Sequence, residues 1–264
     1  MKETTYKTIK HWDDNLVLKF VNPELNKLFE HLDSYNISSL SLIDIGGNVG
    51  KFYDEISKKY KVNKCEIIEA SKMLCEYMTD KYKQNPDITI HNFGLSDEEG
   101  IFYFGDEQVR WFEETGTDGS NSNNVNLGLS ASHFIHHDNT NYLGATKFYN
   151  GSYFLENINK INPQEITFIK VDTENRDVQI VCSMKEYFMK HHIAPIIVFE
   201  NNYRYFLSLE NAQQMMDDLC MDVGYIKVDL SDPSKENIFL LPKIISSYCT
   251  METQKLAQWK ETYF

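Results

Sequence analysis

The stretch Ser41–Gly50, SLIDIGGNVG, constrains this 264-residue chain more than any other part of it. An apolar run reaches an acid, Asp44, and Gly46, Gly47 and Gly50 follow directly. Residues 40–45 (LSLIDI) read as a buried strand and residues 50–60 as a helix, so the glycines make the turn between them. Glycine at a strand-to-helix turn lets a ligand approach the backbone closely. Downstream the pattern repeats. Residues 64–69 predict a strand and 71–83 a helix capped by Ser71, followed by a strand over 88–93. An aromatic strand, 100–105, follows a turn at Asp97–Gly100. Further on come a strand over 165–171, a helix over 176–190, a strand over 195–200 and a helix over 208–221. The strands 224–230 and 237–241 then meet through a turn at Asp232–Pro233–Ser234. Strands alternating with helices need parallel crossovers. The expectation is a doubly wound α/β fold with a mostly parallel sheet, helices on both faces and a closing antiparallel hairpin.

Two regions escape this rhythm. Residues 1–38 read as a mostly helical extension, with Pro23–Glu24 opening a helix over 24–35. Residues 115–141 are polar and aperiodic, the signature of a lid or acceptor loop within a domain spanning 39–242. The tail 243–264 is amphipathic, with Tyr248, Trp259, Tyr263 and Phe264, and is expected to pack on the body. A homodimer contact is its other use.

Charge narrows the partners. Twenty-six Lys and Arg against 39 Asp and Glu give a formal net charge of -13, which disfavours nucleic acid. No apolar run approaches the roughly 20 residues that cross a bilayer, so no membrane role is expected. The opening MKETTYKTIKHWDDN lacks the apolar core of a signal peptide. The five cysteines are scattered without a C-x-x-C pair and read as reduced thiols of a cytoplasmic protein.

What the glycines hold follows from what they cannot hold. A phosphate loop needs G-x-x-x-x-G-K-[S/T]; here Gly46 to Gly50 is one residue short and Lys51 precedes Phe52. A dinucleotide fingerprint ending at Gly47 and Gly50 would put its first glycine on Ile45. What remains is D-x-G-G-N-x-G, whose acid repels a pyrophosphate and suits a cationic amino-acid group. S-adenosyl-L-methionine carries an ammonium and a sulfonium and no phosphate. The second strand ends in Glu69, 25 residues after Asp44, where an acid can accept hydrogen bonds from both ribose hydroxyls. The third ends in Asn92, Phe93 and Gly94, offering a hydrogen bond to an adenine edge, a ring to stack and room for approach. The cofactor set is therefore Asp44, Gly46, Gly47, Asn48, Gly50, Glu69, Ala70, Asn92, Phe93 and Gly94.

These motifs are IDIGGNVGKF, IIEAS, HNFGLSDEEG, FIKVDTENRDVQIV and PIIVFE, in that order between Leu40 and Leu241. The chain resembles the FkbM family of S-adenosylmethionine-dependent methyltransferases. The resemblance implies a Rossmann-like class I methyltransferase fold with a mostly parallel seven-stranded sheet, and a methyl transfer that leaves S-adenosyl-L-homocysteine. It implies an acceptor hydroxyl on a sugar, a glycan or a small natural-product-like scaffold. The most telling block, IKVDTENRDVQIV, looks like the family's I-K-I-D-x-E-G-x-E-x-x-V-L, with Asn175 in place of its glycine and Asp177 in place of its next acid. Asn tolerates a left-handed turn better than other non-glycine residues.

Asp172 and Glu174 follow the fourth main strand, facing the expected crevice. Asp172 reads as the base or the carboxylate that orients the acceptor, with Glu174 supporting the turn or the acceptor. Glu200 at the end of the fifth strand is a further acceptor-side candidate, followed by Asn201 and Asn202. The other reading for either acid of the pair is an ion pair with Arg176 or a helix cap. His133, His136, His137 and Asp138 form the one cluster with metal-ligand chemistry, but adjacent histidines in an irregular segment point apart, and no metal is assigned. Methylation of RNA or protein, or a fold that binds the cofactor without catalysis, are the alternatives.

Overall fold

The computed structural model describes residues 3–15, 26, 29–30, 32–33, 37–105, 133–135, 144–173, 176–201, 207–231 and 237–243. Helix α1 (Glu3–Asn15) precedes strand β1 (Ser39–Ile45). Helix α2 (Lys51–Lys59), strand β2 (Lys61–Glu69), helix α3 (Lys72–Lys81) and strand β3 (Ile88–Asn92) follow. Strands β4 (Gly94–Ser96), β5 (Gly100–Gly105), β6 (His133–Ile135) and β7 (Gly144–Asn150) come next, then helix α4 (Gly151–Asn157). Strand β8 (Phe168–Val171), helices α5 (Asp177–Ser183) and α6 (Lys185–His191), strand β9 (Ile196–Glu200), helix α7 (Leu209–Val223) and strand β10 (Asn237–Leu240) complete the described chain.

The main sheet has the order β10-β9-β8-β1-β2-β3, parallel except for β10, which pairs antiparallel with β9. This is the doubly wound Rossmann-like architecture anticipated from the alternation. Side-chain alternation along the buried strands divides the core in two. Leu40, Leu42, Ile67 and Phe168 face α2 and α3 through Ile56, Leu74 and Met78. Ile43, Ile45, Ile169, Ile197 and Phe199 face the other side, against Phe154, Val178, Phe188 and Met216. Each fully buried Leu, Ile or Phe contributes roughly 1.5–3 kcal/mol, so both faces are strongly specified. From β1 the chain builds outward to β2 and β3 on one side and to β8 and β9 on the other. That reversal opens a crevice beyond the C-terminal ends of β1 and β8.

Three expectations are corrected. The sheet has six described strands, not seven, because 224–230 forms only an isolated bridge, Tyr225 to Pro242. Two backbone bonds flank that bridge, from the Ile226 amide to the Leu241 carbonyl and from the Lys243 amide to the Gly224 carbonyl, and beyond it Asp229 turns its carboxylate onto the Ser231 amide at 2.8 Å, a local bond that competes with strand pairing. The single helix predicted over 176–190 is two, divided at Met184. Ser183 is drawn to α4: its hydroxyl accepts from the Gly151 amide at 3.0 Å, and its carbonyl accepts from Ser152 Oγ at 2.7 Å. Part of the expected lid, His133–Ile135, is strand β6 of a second sheet, ordered β4-β7-β5-β6. Most of the helix expected over 24–35, the rest of the loop 115–141, the turn at 232–234 and the tail from 244 lie outside the described residues.

The second sheet is tied to the ends of β2 and β3. Thr146 Oγ1 donates to the Ala70 carbonyl at 3.0 Å. Phe148, 2% exposed, sits where a side chain on Gly94 would be: a Cβ there would lie 2.0 Å from its ring.

Candidate functional site

The glycine turn is fixed from both strands beside it. The amides of Gly46 and Gly47 both donate to the Ile68 carbonyl, at 2.9 and 3.1 Å. Gly46 and Gly50 adopt φ of 75° and 79°, in the left-handed region, and Asn48 follows at 51°. At Gly46 the conformation and the space agree, because a Cβ would stand 1.8 Å from the Asp172 carbonyl oxygen. The loop after β1 therefore lies directly against the chain leaving β8, and no other residue fits.

Glu69 holds the loop from the end of β2. Its Oε2 accepts from the Asn48 amide at 2.9 Å and its Oε1 from the Ser71 amide at 2.8 Å. Burial raises its pKa above the ordinary carboxylate value, and the two amides oppose that rise. The carboxylate is thus immobilised beside the glycine turn, with lone pairs remaining on both oxygens. Ser71 also caps α3, as expected from the sequence, by accepting from the Leu74 amide. Asn92, exposed at the end of β3, donates to the carbonyls of Ala70 at 3.0 Å and Glu69 at 3.2 Å. Asn92, Glu69 and Ala70 are therefore one cluster.

Asp44 is fully buried. It has an internal countercharge beside the glycine turn. Asp44 and Lys170 are register partners on β1 and β8, and Lys170 Nζ lies 3.3 Å from Asp44 Oδ1. The same ammonium donates to the Gly46 carbonyl at 2.7 Å and lies 3.5 Å from Asp172 Oδ2. Burial raises the Asp44 pKa and Lys170 opposes it. Burial disfavours the charge on Lys170, but Asp44 and Asp172 outweigh it and keep the ammonium above its ordinary pKa. Lys170 is a fixed cation, not a base. Sequence reasoning missed it, although a lysine inside the apolar run FIKV signals a buried partner of opposite charge.

Asp172 has a half-exposed side chain next to Lys170. Glu200, half-buried, ends β9. Between them lies a third carboxyl, Asp177, fully buried at the start of α5. Its Oδ1 accepts from the Thr173 amide at 2.9 Å, while Oδ2 has no hydrogen-bond partner. Burial pushes its pKa up to about 8, and the neighbouring Asp172 and Glu200 carboxylates add to the rise. Arg176, offered by the sequence as a partner for Asp172 or Glu174, donates to Asp97 at 2.8 Å and Ser96 at 3.0 Å. Glu174, Asn175 and Asn202 lie outside the described residues.

Phe93 and Gly94 do not form the open ring platform expected of them. Phe93 is 8% exposed and packs edge-on to Tyr149, with Phe154 and His91 also against it. Gly94 makes room for Phe148. Of the histidine cluster, His133 lies on β6, and the remainder is outside the described residues; no group of metal-ligating side chains occurs among the described residues. No described helix is long and apolar enough to cross a membrane.

Glu69 and the glycine turn together border the crevice at the ends of β1 and β2. The residues present fit a nucleoside: an immobilised carboxylate beside a turn whose Gly46, Gly47 and Gly50 leave no room for a Cβ.

No protein-family model matches the chain, and no curated protein matches it. Among solved structures, it is similar to a methyltransferase FkbM from Methylobacillus flagellatus at 13% identity and a TM-score of 0.44. That match covers 77% of this chain and 44% of the other, so this chain spans under half of that protein. A SAM-dependent methyltransferase from Aquifex aeolicus matches at 11% identity and a TM-score of 0.41, over 89% and 96% of the two chains. TrmK from M. capricolum, in complex with S-adenosyl-homocysteine, matches at 9% identity and a TM-score of 0.35, over 80% and 66%. At these identities and scores, none fixes a cofactor or an acceptor for this chain.

Proposed function

We propose that this chain binds S-adenosyl-L-methionine and transfers its methyl group to a hydroxyl of a sugar, a glycan or a small natural-product-like acceptor. The observation that carries the reading is Glu69, held by the Asn48 and Ser71 amides at the rim of a glycine turn at the sheet's switch point. When bound, the cofactor supplies an electrophilic methyl on a sulfonium. Glu69 would accept from the ribose hydroxyls, Asn92 would border the adenine edge, and the loop Gly46–Gly50 would receive the amino-acid end at the backbone.

On the acceptor side, Asp172 is the exposed carboxylate nearest the glycine turn, and Lys170 restrains it. Its role is to accept the acceptor hydroxyl's proton as the oxygen becomes nucleophilic. Glu200, the last residue of β9, and Asn201 after it would line the same side and suit a polyhydroxylated molecule. Alignment of the reacting atoms can supply on the order of 7–11 kcal/mol, whereas a general base typically adds roughly 10²–10⁴-fold. Positioning dominates, so loss of the base leaves measurable activity.

The test is Asp172→Asn, with turnover measured against a panel of hydroxylated acceptors and cofactor affinity measured alongside. The expected outcome is unchanged cofactor affinity with turnover reduced at least about tenfold. Unchanged turnover would remove the role of Asp172.

A further inference from the structure

The inner side of the glycine turn belongs to Glu69 and Ile68; its outer side is held from elsewhere. Lys81, in the last turn of α3, directs one ammonium at three acceptors. It donates to the Val49 carbonyl at 2.9 Å, to Asp54 Oδ2 of α2 at 2.7 Å and to Asp13 Oδ2 of α1 at 2.8 Å. The next residue, Tyr82, brings its hydroxyl to 2.8 Å from both the Gly50 carbonyl and Asp54 Oδ1. Gly50 lacks a side chain because that hydroxyl would lie 2.2 Å from its Cβ.

Asp13 is the anchor outside the sheet domain. Its side chain is 8% exposed. Tyr77 donates its hydroxyl to Asp13 Oδ2 at 2.8 Å, and Lys51, the first residue of α2, donates to the Asp13 carbonyl at 3.3 Å. Farther back on α1, Tyr6 stacks at a tilt on Tyr77, with ring centroids 5.3 Å apart, and donates to Asp80 at 2.8 Å. The end of α1 is thus joined, through one partly buried ammonium, to the carbonyl next to Asn48. The Asn48 amide in turn fixes Glu69.

We infer that Asp13 and Lys81 are positioning residues that couple docking of helix α1 to the shape of the glycine turn, and hence to affinity for a nucleoside cofactor. Neither touches the crevice in the way Glu69 does; they act through Val49 and Asn48. Because the coupling is a free energy shared between two events, it is reciprocal: cofactor binding tightens α1 by the factor by which α1 tightens the cofactor. The ligand half of this inference rests on the function proposed above. The apo half, the effect of Asp13 on the turn, does not.

The test uses the full chain and the variants Asp13→Asn and Lys81→Met. Hydrogen exchange is followed at Asn48 and Gly50, without ligand, and across residues 3–15 with and without S-adenosyl-L-homocysteine; calorimetry gives its affinity. The expected result is at least tenfold faster exchange of the Asn48 amide in both variants, tenfold weaker binding, and slower exchange of α1 when the ligand is added to wild type. A purely structural role would lower the melting temperature but leave the affinity of the folded fraction unchanged. Affinity within twofold of wild type and unaltered Asn48 exchange would overturn the coupling. Absence of binding in wild type would remove the proposed cofactor, and the apo exchange rates would still decide whether Asp13 holds the turn.

Discussion

Asp177 shows how much chemistry a single residue conceals from its sequence neighbours. Within TENRDVQIV nothing local marks its environment, yet it is fully buried beside Asp172 and Glu200. A carboxyl with a pKa near 3.9 in the unfolded chain and about 8 in the folded one binds its proton more tightly when folded. That proton's stabilisation is complete below pH about 4 and is lost as the pH rises toward 8. Asp177→Asn keeps an acceptor for the Thr173 amide and removes the titration. The variant should therefore gain melting temperature relative to wild type from pH 5 to pH 9. Parallel melting curves across that range would show that Asp177 is ionised or solvated in the folded state. Glu69 differs from Asp177 because a glutamate at a strand end announces its place. The sequence located it, but could not show that two backbone amides hold it.

At the level of elements, the buried pair Asp44–Lys170 joins β1 to β8 where the crevice opens. Strand alternation puts Asp44, Lys170 and Asp172 on one face, so this line of charge was implicit in DIGG and FIKVD once the two strands were known to be neighbours. One-dimensional reading placed both strands but not their adjacency, and so did not see Lys170 as the partner of Asp44. Removing one partner of a buried pair leaves the other charge uncompensated, at a cost of about 3–5 kcal/mol. Lys170→Met should cost about that much in urea unfolding, and adding Asp44→Asn should recover part of it. A single variant as stable as wild type would show that the pair does not hold the strands. The second sheet was less legible for a related reason. Its strands pair through contacts distant in sequence, such as Gly94 with Phe148, and one of them, β6, is three residues within a polar segment. Helix α4 did leave a local signal, the Asn150 cap ahead of Phe154 and Leu155, which the periodicity argument passed over.

For the whole molecule, the alternation of strands and helices was enough to predict a doubly wound sheet, because parallel pairs need crossovers and those crossovers have one hand. The closing hairpin was not, since its first arm keeps strand-like burial while Asp229 bonds locally to the Ser231 amide and only the Tyr225–Pro242 bridge forms. The resulting architecture brings Glu69, the glycine turn and the carboxylates after β8 and β9 to one end of the sheet. Helix α1 braces that end from outside through Lys81. With a formal net charge of -13, the chain also suits a cationic nucleoside better than a phosphorylated one. The central claim is that this end of the sheet binds S-adenosyl-L-methionine with Glu69 as the ribose acceptor. Its most direct test is calorimetric titration of wild type and Glu69→Ala with S-adenosyl-L-methionine and S-adenosyl-L-homocysteine. Hydrogen bonds to a charged group contribute about 1.5–3 kcal/mol, so micromolar binding by wild type should weaken by roughly 10- to 150-fold in the variant. No binding by wild type, or equal affinity in the two proteins, would contradict the account.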